Sequence, residues 1–427
     1  MTKFTSNMSG CINPSLLTPK KNRIVYLGGF LDEAIVRERG LPTHNAAGSN
    51  RMDRIANALK SAGYRPVILS PGASLRMNSK GAFLHPGRVR NRKSAPVVFA
   101  PAFNIFGINV LCSWIFQILC LRAILKSGRV CGAIIYNFNP SLILLCVYLK
   151  YVRRLPILNN IEDISIPSLK DWSRKTEARP IQQIVFFCCM NLIARMADGY
   201  IVPTRRFLNY LPGNTPSEIV TGCIAVMDSP DRVPVERNDR LQVLYAGKVQ
   251  REDGIIEFVQ ALQLLDALDD PPNIRVEISG TGNMADWVRE QVGTLRTIKA
   301  TYHGFVSTSD YVKLLRRSQI CVALQNPTGR YADFKTPSKM YEFLGYGKAV
   351  IATDAGDIRD MPKDSILILD PLEPGAIAEK LLWLSADSTR TAGLQAAARR
   401  HAKECFSYAA VGTVLKDLFV KISRVTN

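Results

Sequence analysis

The sequence has 427 residues, of which 47% are hydrophobic and 21% charged, which excludes a disordered chain and predicts about two globular domains. Ten cysteines without a CxxC pair and only four histidines argue against a disulfide framework or a zinc site, so we expect reduced thiols in a cytoplasmic protein. The net charge of +19 calls for an anionic partner or a strongly solvated surface.

The positive charge is concentrated in the N-terminal part. Residues 1–150 contain 20 Lys+Arg and 4 Asp+Glu, a balance of +16, whereas residues 241–427 contain 23 and 22. Such segregation indicates nucleic acid, an anionic membrane face or a phosphorylated substrate. The basic run Arg88–Lys93 has no interleaved aromatic residues, which disfavours nucleic acid and indicates a solvated or membrane-facing loop.

Short apolar runs alternate with helical patterns along the chain, which is typical of parallel sheets covered by helices on both faces. In the first half the predicted strands are Arg23–Leu27, Pro66–Leu69, Pro96–Ala100, Ala133–Tyr136, Pro156–Asn159, Gly199–Val202 and Glu218–Thr221. In the second half they are Gln242–Ala246, Ile274–Ile278, Ala300–His303, Ile320–Leu324, Ala349–Thr353 and Ser365–Leu369.

Two uncharged runs, Ala95–Leu121 and Val130–Leu149, are long enough to span a bilayer. Interior prolines and asparagines favour strand, turn and helix instead, so we expect no transmembrane span. Met1–Lys21 lacks the apolar segment of a signal peptide.

Local signals delimit two helices and a linker. Ser49 is placed to cap a helix that Gly63 ends, and the apolar spacing after Gly254 predicts a second amphipathic helix. The polar, proline-containing stretch Met227–Arg240 is the best candidate linker. The fold class is therefore α/β, with two Rossmann-like doubly wound domains facing a cleft.

Glycines and cations follow two strands of the second domain. Gly280 and Gly282 come after one strand, where a diphosphate could approach the backbone, although a tight turn would need glycine as well. Lys248 and Arg251 follow the other strand and are candidates to stabilise a leaving diphosphate, or are solvated loop charges.

The segment Lys335–Thr353 carries the strongest signal. A loop with Thr336 and Ser338 enters a helix whose free N–H groups could receive a phosphate or sugar oxygen. Lys339 and Glu342 lie one turn apart on a similar face, where a carboxylate could take ribose hydroxyls and a lysine the phosphates. The alternative for Glu342 is an exposed helix charge.

The stretch TPSKMYEFLGYGKAVIAT resembles the signature of glycosyltransferase family 4, also called group 1 glycosyltransferases, which have the GT-B fold. YAGKVQREDGIIEFVQAL, VEISGTGN and HGFVSTSDYVKLLRRSQICVAL agree in order and spacing, and FSYAAVGTVLKDLF is similar to the family's last helix. The resemblance is specific over residues 241–427 and looser before them.

The resemblance implies a nucleoside-diphosphate sugar donor and retention of anomeric configuration. It implies domains at 1–226 for the acceptor and 241–404 for the donor, a linker at 227–240, and a helix within 405–427 that returns to the N-terminal domain. It makes Glu342 the ribose ligand and Lys248 a diphosphate ligand, with Gly280 and Gly282 beside the nucleotide. No DxD motif is present, so we expect no metal and no cofactor.

Two positions depart from the family pattern. The first glutamate of its EX7E motif falls at Phe334, beside Asp333, and the second diphosphate lysine falls at Asp253, near Arg251. Asp333 and Arg251 are candidate substitutes. A subset of the family with a PSK loop also lacks the first glutamate.

Candidate acceptor residues follow the strands of the first domain, where ligands bind in such sheets. They are Gly28, Gly29, Gly48, Arg51, Asn137, Asn139, Glu162 and Asp163. For Glu162 and Asp163, a charge at a helix start is an equal alternative. A lipid-linked saccharide acceptor at an anionic membrane would explain the basic half.

The sequence thus favours a retaining, metal-independent glycosyltransferase of polysaccharide or glycolipid biosynthesis, peripheral at the inner face of the cell membrane. A degenerate, non-catalytic sugar-nucleotide-binding protein and a basic nucleic-acid-binding protein are the alternatives. An epimerase or phosphorylase of the same fold is disfavoured, because the chain is poor in histidine and no Schiff-base lysine site is evident.

Overall fold

The computed structural model describes residues 22–41, 46–72, 84–103, 108–137, 139–162, 180–227, 240–329, 332–334 and 336–425. Within these, the chain forms two compact units. Unit 1 contains the described residues up to Val202, together with residues 210–219 and those from Val411 onward. Unit 2 contains Pro203–Asn209 and Val220–Ala410. Residues 220–226, assigned by sequence to the first domain, therefore pack with unit 2.

Unit 1 is built on a large parallel sheet. Its strands in chain order are β1 (Arg23–Leu27), β2 (Arg65–Ser70), β3 (Leu84–His85), β4 (Arg88–Asn91), β5 (Pro96–Phe99), β6 (Ala102–Phe103), β7 (Val130–Tyr136), β8 (Ile157–Asn160), β9 (Gly199–Val202) and β10 (Ser217–Ile219). Eight of them form one sheet in the order β10-β9-β8-β7-β1-β2-β5-β4, and β3 pairs with β6. All neighbours in the large sheet are parallel except β4, which runs antiparallel to β5.

Helices cover this sheet. They are α1 (Glu33–Arg39), α2 (Ala46–Ser61), α3 (Ile108–Lys126), α4 (Ile143–Val147), which continues as a π-helical turn over Tyr148–Val152, and α5 (Pro180–Met196). Arg39, the last residue of α1, is fully buried, and its guanidinium group donates to the carbonyls of Gly72, Ala100 and Pro86. Burial lowers the pKa of Arg39 to about 10.

Unit 2 is a second doubly wound sheet. Its strands are β11 (Leu241–Ala246), β12 (Ile274–Ser279), β13 (Lys299–Tyr302), β14 (Ile320–Ala323), β15 (Ala349–Thr353) and β16 (Leu367–Leu369), in the order β13-β12-β11-β14-β15-β16. Its helices are α6 (Ile255–Asp266), α7 (Ala285–Gly293), α8 (Thr308–Arg317), α9 (Ser338–Gly345), α10 (Pro374–Ser385) and α11 (Ser388–His401). A last helix, α12 (Tyr408–Val425), runs into unit 1 from Val411.

Alternate residues of β11 enter two different cores. Val243 and Tyr245 pack with α6 and α10 on one face, whereas Leu244 and Ala246 pack with α8 and α9 on the other. This burial on both faces explains why the parallel strands are continuous apolar runs in the sequence. All thirteen predicted strands are present, with ends that differ by up to three residues.

The structure corrects the interpretation of the basic run Arg88–Lys93 as a loop. Arg88, Arg90 and Arg92 were assigned to a loop, but Arg88–Asn91 is the antiparallel edge strand β4. The three guanidinium groups are paired with acidic residues of α1, its cap and α2, namely Glu38, Asp32 and Asp53. These pairs neutralise much of the charge that suggested an anionic partner for this run.

Of two further predictions, the helix cap at Ser49 is wrong and the division of Val130–Leu149 into strand, turn and helix is confirmed. Ser49 is not a helix cap, because α2 has begun by Ala46, and its Oγ instead accepts from the Leu31 N–H at 3.0 Å. The prediction for Val130–Leu149 is confirmed, since β7, a turn and α4 follow one another there. No described helix is long and apolar enough to cross a bilayer. Most of the predicted linker, residues 228–239, lies outside the described residues.

Candidate functional site

Both sheets reverse their winding direction at one point. In unit 1 the strand order reverses between β1 and β7, and in unit 2 between β11 and β14. A crevice opens at such a point beyond the carboxyl ends of the strands, because the connections leave in opposite directions. Gly28 and Asn137 follow the first pair of strands, and Lys248 follows β11, so topology alone selects these loops.

In unit 2 the loops after β11 and β12 are interlocked. A Cβ on Gly282 would lie 2.1 Å from the Val249 carbonyl oxygen, and one on Gly280, whose φ is +141°, would lie 1.7 Å from that of Gly247. Backbone hydrogen bonds join Val249 N to Thr281 O at 3.0 Å and Met284 N to Val249 O at 3.1 Å. The packing of these two loops therefore requires both glycines, a reason that differs from the tight turn considered from the sequence.

The candidate diphosphate cations stand on this rigid loop. Lys248 and Arg251 are both exposed. The buried Tyr245 hydroxyl oxygen lies 2.9 Å from the Lys248 carbonyl oxygen and 3.0 Å from that of Asp253, so its single proton is shared between the two carbonyls of the backbone that carries both cations. Within the described residues, no group of three potential ligands could hold a metal ion.

No side chain caps the start of α9, because Pro337 occupies the cap position. The Met340 N–H is bonded to the Pro337 carbonyl at 3.0 Å, and the N–H groups of Ser338 and Lys339 belong to the first turn, where a helix offers no internal acceptor. The Thr336 Oγ1 is buried and has no hydrogen-bond partner among the described residues. Such orphaned donors favour an anionic or hydroxyl-bearing ligand at this end of the helix.

Glu342 is held from two sides. Its Oε2 accepts hydrogen bonds from the Tyr311 hydroxyl at 2.8 Å and from Lys339 Nζ at 3.0 Å. Lys339 Nζ also lies 3.8 Å from the centre of the Tyr311 ring, a cation–π contact. Burial, followed by the neighbouring Glu342 carboxylate, raises the pKa of Tyr311 far above its ordinary value, so the phenol remains a donor. Sequence analysis missed Tyr311, which lies 31 residues from its partner.

Phe334, which departs from the family pattern, and the neighbouring Asp333 both have defined contacts. The Phe334 ring packs edge-on against Phe207, with ring centres 5.2 Å apart. Asp333 is exposed, and its carbonyl accepts from the Thr204 Oγ1 at 3.1 Å. The Asp333 side chain therefore lies on an anchored turn, and Phe334 stabilises that turn where the family pattern has a carboxylate.

Sequence analysis also missed a buried carboxylate. Glu277 in β12 is 1% exposed and contacts His303 Nε2 at 2.5 Å and Arg317 Nη2 at 2.8 Å. It lies beside Leu244 of β11 and Thr301 of β13. The alternation of IRVEIS puts Glu277 on the same face as Arg275 and Ser279, which is the pattern of a solvated face, so the sequence carried no signal of its burial.

In unit 1 the structure brings three candidate acceptor residues together. Arg51 Nε lies 2.6 Å from Glu162 Oε1, and the Glu162 N–H donates to Asn137 Oδ1 at 2.7 Å. Asn137 has φ of +55°, a conformation that asparagine tolerates better than most residues. The group collects a cation, a carboxylate and an amide at the carboxyl ends of β7 and β8.

The other candidates differ in their surroundings. Gly28 is buried, and a Cβ there would lie 2.8 Å from Met52 and Tyr136, whereas Gly29 is exposed beside open space. Gly48 is buried within α2. Asn139 Oδ1 accepts from the Ser141 N–H at 3.0 Å and so caps the turn before α4. Asp163 lies outside the described residues.

Sequence comparison finds a family match for the part of the chain that contains the unit 2 site. Residues 240–387 match the family described as "Glycosyl transferases group 1". These residues form a glycosyl transferases group 1 domain. No curated protein sequence matches the chain.

Structural comparison covers both units. A sucrose-phosphate synthase from Thermosynechococcus elongatus superposes with a TM-score of 0.61 and 14% identity, over 95% of this chain and 100% of the other. The Anabaena protein HepE in complex with UDP and glucose gives 0.57 and 16%, over 92% and 98%. The lipopolysaccharide outer core galactosyltransferase WaaB gives 0.55 and 12%, over 93% and 99%. The chain therefore has the GT-B fold.

The loop contact predicts a stability difference between two glycines. Gly282→Ala should lower the thermal midpoint by several degrees, because its Cβ displaces the Val249 carbonyl and overpacking costs about 1–3 kcal/mol. Gly375→Ala is the control, since a Cβ there meets nothing within 4 Å at the start of α10. Equal midpoints by calorimetry would contradict the interlocked loops.

The Glu342 contacts predict graded losses of nucleotide affinity. Glu342→Ala should weaken binding of the cognate nucleoside diphosphate roughly ten- to hundredfold, because a hydrogen bond to a charged group contributes about 1.5–3 kcal/mol. Tyr311→Phe retains the ring but removes one donor, so a smaller loss is expected. Tyr200→Phe, which removes a hydroxyl bonded to the Ala194 carbonyl in unit 1, is the control. Titration calorimetry measures all three, and wild-type affinity in Glu342→Ala would contradict the assignment.

Proposed function

We propose that the protein is a retaining glycosyltransferase that transfers a sugar from a nucleoside-diphosphate sugar to a saccharide acceptor, without a metal ion or cofactor. The acceptor is lipid-linked, in polysaccharide or glycolipid biosynthesis. The enzyme acts as a peripheral protein at the inner face of the cell membrane and has no nucleic-acid partner.

The observation that carries the proposal is the group at the start of α9. The first N–H groups of the helix, which no side chain caps, the unpartnered Thr336 Oγ1 and the Glu342 carboxylate lie within the seven residues 336–342, in the domain that matches group 1 glycosyltransferases. Hydroxyl-bearing ribose suits the carboxylate, and phosphate oxygens suit the helix start. HepE, a structural neighbour, is described in complex with UDP and glucose, which supports this ligand class.

The proposed mechanism follows from the available groups. The bond between the anomeric carbon and the diphosphate oxygen breaks while the acceptor oxygen attacks from the same face. The acceptor proton passes to the leaving phosphate oxygen. Lys248 and Arg251, on the loop fixed by Tyr245, stabilise the growing negative charge, and the N–H groups of α9 assist.

The acceptor would bind in unit 1, beside Arg51, Glu162 and Asn137. This assignment rests on their meeting at the carboxyl strand ends next to the reversal of winding. The galactosyltransferase WaaB, another neighbour, is described as acting on the lipopolysaccharide outer core, which supports a glycolipid acceptor.

A ligand screen tests the donor class. UDP, GDP, ADP and their sugars are added in turn, and the cognate diphosphate should raise the thermal midpoint because it binds only the folded protein. With donor and acceptor present, nucleoside diphosphate should be released at the same rate with and without EDTA. No stabilisation by any nucleotide would contradict the proposed function, and EDTA-sensitive release would contradict metal independence.

The cations predict a separation of turnover from binding. Lys248→Ala should lower kcat roughly ten- to hundredfold with a smaller change in donor affinity, because the charge on the diphosphate grows as the bond breaks. Arg251→Ala should act in the same direction if it replaces the second lysine of the family pattern. Lys299→Ala is the control, because Lys299 lies at the amino end of β13, whereas the candidate site lies at the carboxyl ends of the strands. Wild-type kcat in both variants would place the diphosphate elsewhere.

One observation favours a second candidate, a non-catalytic sugar-nucleotide-binding protein. Phe334 stands where the family pattern has a carboxylate and packs on Phe207, so that turn contributes no acid beyond the exposed Asp333. This protein would bind nucleotide in the screen and show the Glu342→Ala loss, but would release no diphosphate with any acceptor. Donor turnover therefore separates the two candidates.

A further inference from the structure

Three helices of unit 1 form a continuous layer, because α4 packs against both α3 and α5. Of the ten large apolar side chains of unit 1 that are exposed in the described residues, seven lie on this layer. We call these seven the apolar patch; they are Ile115, Leu119, Leu144, Tyr151, Val152, Ile184 and Leu192.

The spacing of these residues places them on outward stripes. Ile115 and Leu119 are one turn apart on α3, and Ile184 and Leu192 are two turns apart on α5. Buried residues such as Ile124 and Ile193 occupy the opposite sides of the same helices. Scattered apolar side chains are ordinary on a protein surface, but a concentration on adjoining helices marks an interaction surface.

Cations without ion pairs accompany the patch. They are exposed, lie near the C-terminal end of each helix or just beyond it, and have no ion pair in the described part of the chain; they are Arg122, Lys126, Arg153, Arg154 and Arg195. No acidic residue occurs between positions 54 and 161. Asp198, which lies beyond the end of α5, is paired with Lys150.

We propose that this layer is the membrane-docking surface of the protein, with the apolar patch inserted shallowly among the lipids and the five cations bound to anionic headgroups. Exposed apolar side chains, cations near the helix C-termini and no acidic residue within the described parts of the three helices are complementary to an anionic bilayer surface. A protein partner would need matching carboxylates. The inference deepens the proposed function and rests on it for its purpose, which is to hold unit 1 beside a lipid-linked acceptor.

This surface differs from the one that the sequence indicated. Arg88, Arg90 and Arg92 on β4 are occupied by Glu38, Asp32 and Asp53, so their release for lipid would cost those pairs. The cations of the helical layer have no such competition. The layer also begins near the candidate acceptor residues, since α4 starts six residues after Asn137.

Vesicle co-sedimentation tests the proposal on the full chain. Phosphatidylcholine vesicles with and without phosphatidylglycerol are compared over a range of salt. Wild-type protein should bind only the anionic vesicles, and more weakly as salt rises. A charge variant with Arg122→Gln, Lys126→Gln, Arg153→Gln and Arg154→Gln should lose about fivefold in affinity per cation. An apolar variant with Ile115→Ser, Tyr151→Ser and Leu192→Ser should also bind less.

Two control variants match these changes. Arg88→Gln, Arg90→Gln and Arg92→Gln remove paired cations, and Leu264→Ser with Leu268→Ser removes exposed apolar groups of unit 2; both should bind vesicles like wild type. Equal losses in control and patch variants, or no binding of wild type to anionic vesicles at low salt, would overturn the proposal. Sedimentation velocity adds a further outcome, because self-association abolished by the apolar variant would assign the patch to a second copy.

Nucleotide binding separates this inference from the proposed function. All variants should retain the wild-type thermal shift with nucleoside diphosphate, since the patch lies in unit 1 and the donor group in unit 2. Nucleotide binding without vesicle binding would overturn only the docking surface. Vesicle binding without any nucleotide binding would overturn only the glycosyltransferase assignment.

Discussion

The contact between the loops after β11 and β12 is the constraint on which the unit 2 site depends. Two glycines without side chains let the backbone of residues 280–284 rest on the carbonyls of Gly247 and Val249. The loop that carries Lys248 is thereby held by the loop after β12, and the Tyr245 hydroxyl holds it through the Lys248 carbonyl. Because this backbone is already ordered, a cation on it has only its side chain to order when it binds an anion, which lowers the entropic cost of binding relative to a free loop.

In unit 1 the candidate residues are held by charged and polar contacts, whereas the unit 2 loop is held by glycine contacts. Arg51 and Glu162 come from different elements and meet at 2.6 Å, while Asn137 holds the Glu162 backbone. A largely buried pair of this kind can exchange partners with a ligand that offers both a donor and an acceptor, as sugar hydroxyls do. Under the proposed function, the unit 2 loop would present cations of fixed position to the donor, and the Arg51–Glu162 pair of unit 1 would exchange hydrogen bonds with the acceptor.

The fold was predictable because burial on both faces of a parallel sheet makes each strand a continuous apolar run. The edge strand β4 escaped prediction because RVRN is polar and the acidic residues hydrogen-bonded to Arg88, Arg90 and Arg92 are 39 or more residues away in the sequence. The role of Tyr311 was hidden for the same reason, since its contact with Glu342 crosses from α8 to α9. Local patterns reveal elements and their loops, whereas pairings between distant side chains require the packed structure.

The state of Lys339 suggests how donor binding rearranges the site. Its ammonium group lies against Glu342 and the Tyr311 ring, which satisfies the carboxylate within the protein. Ribose hydroxyls that donate to Glu342 would replace the lysine there, and the incoming phosphates would attract the released cation. The Tyr311 hydroxyl, which remains protonated, continues to hold the carboxylate through this exchange. Binding of the sugar part and the phosphate part of the nucleotide would then be coupled through one lysine, because neither interaction forms fully until Lys339 has changed partners.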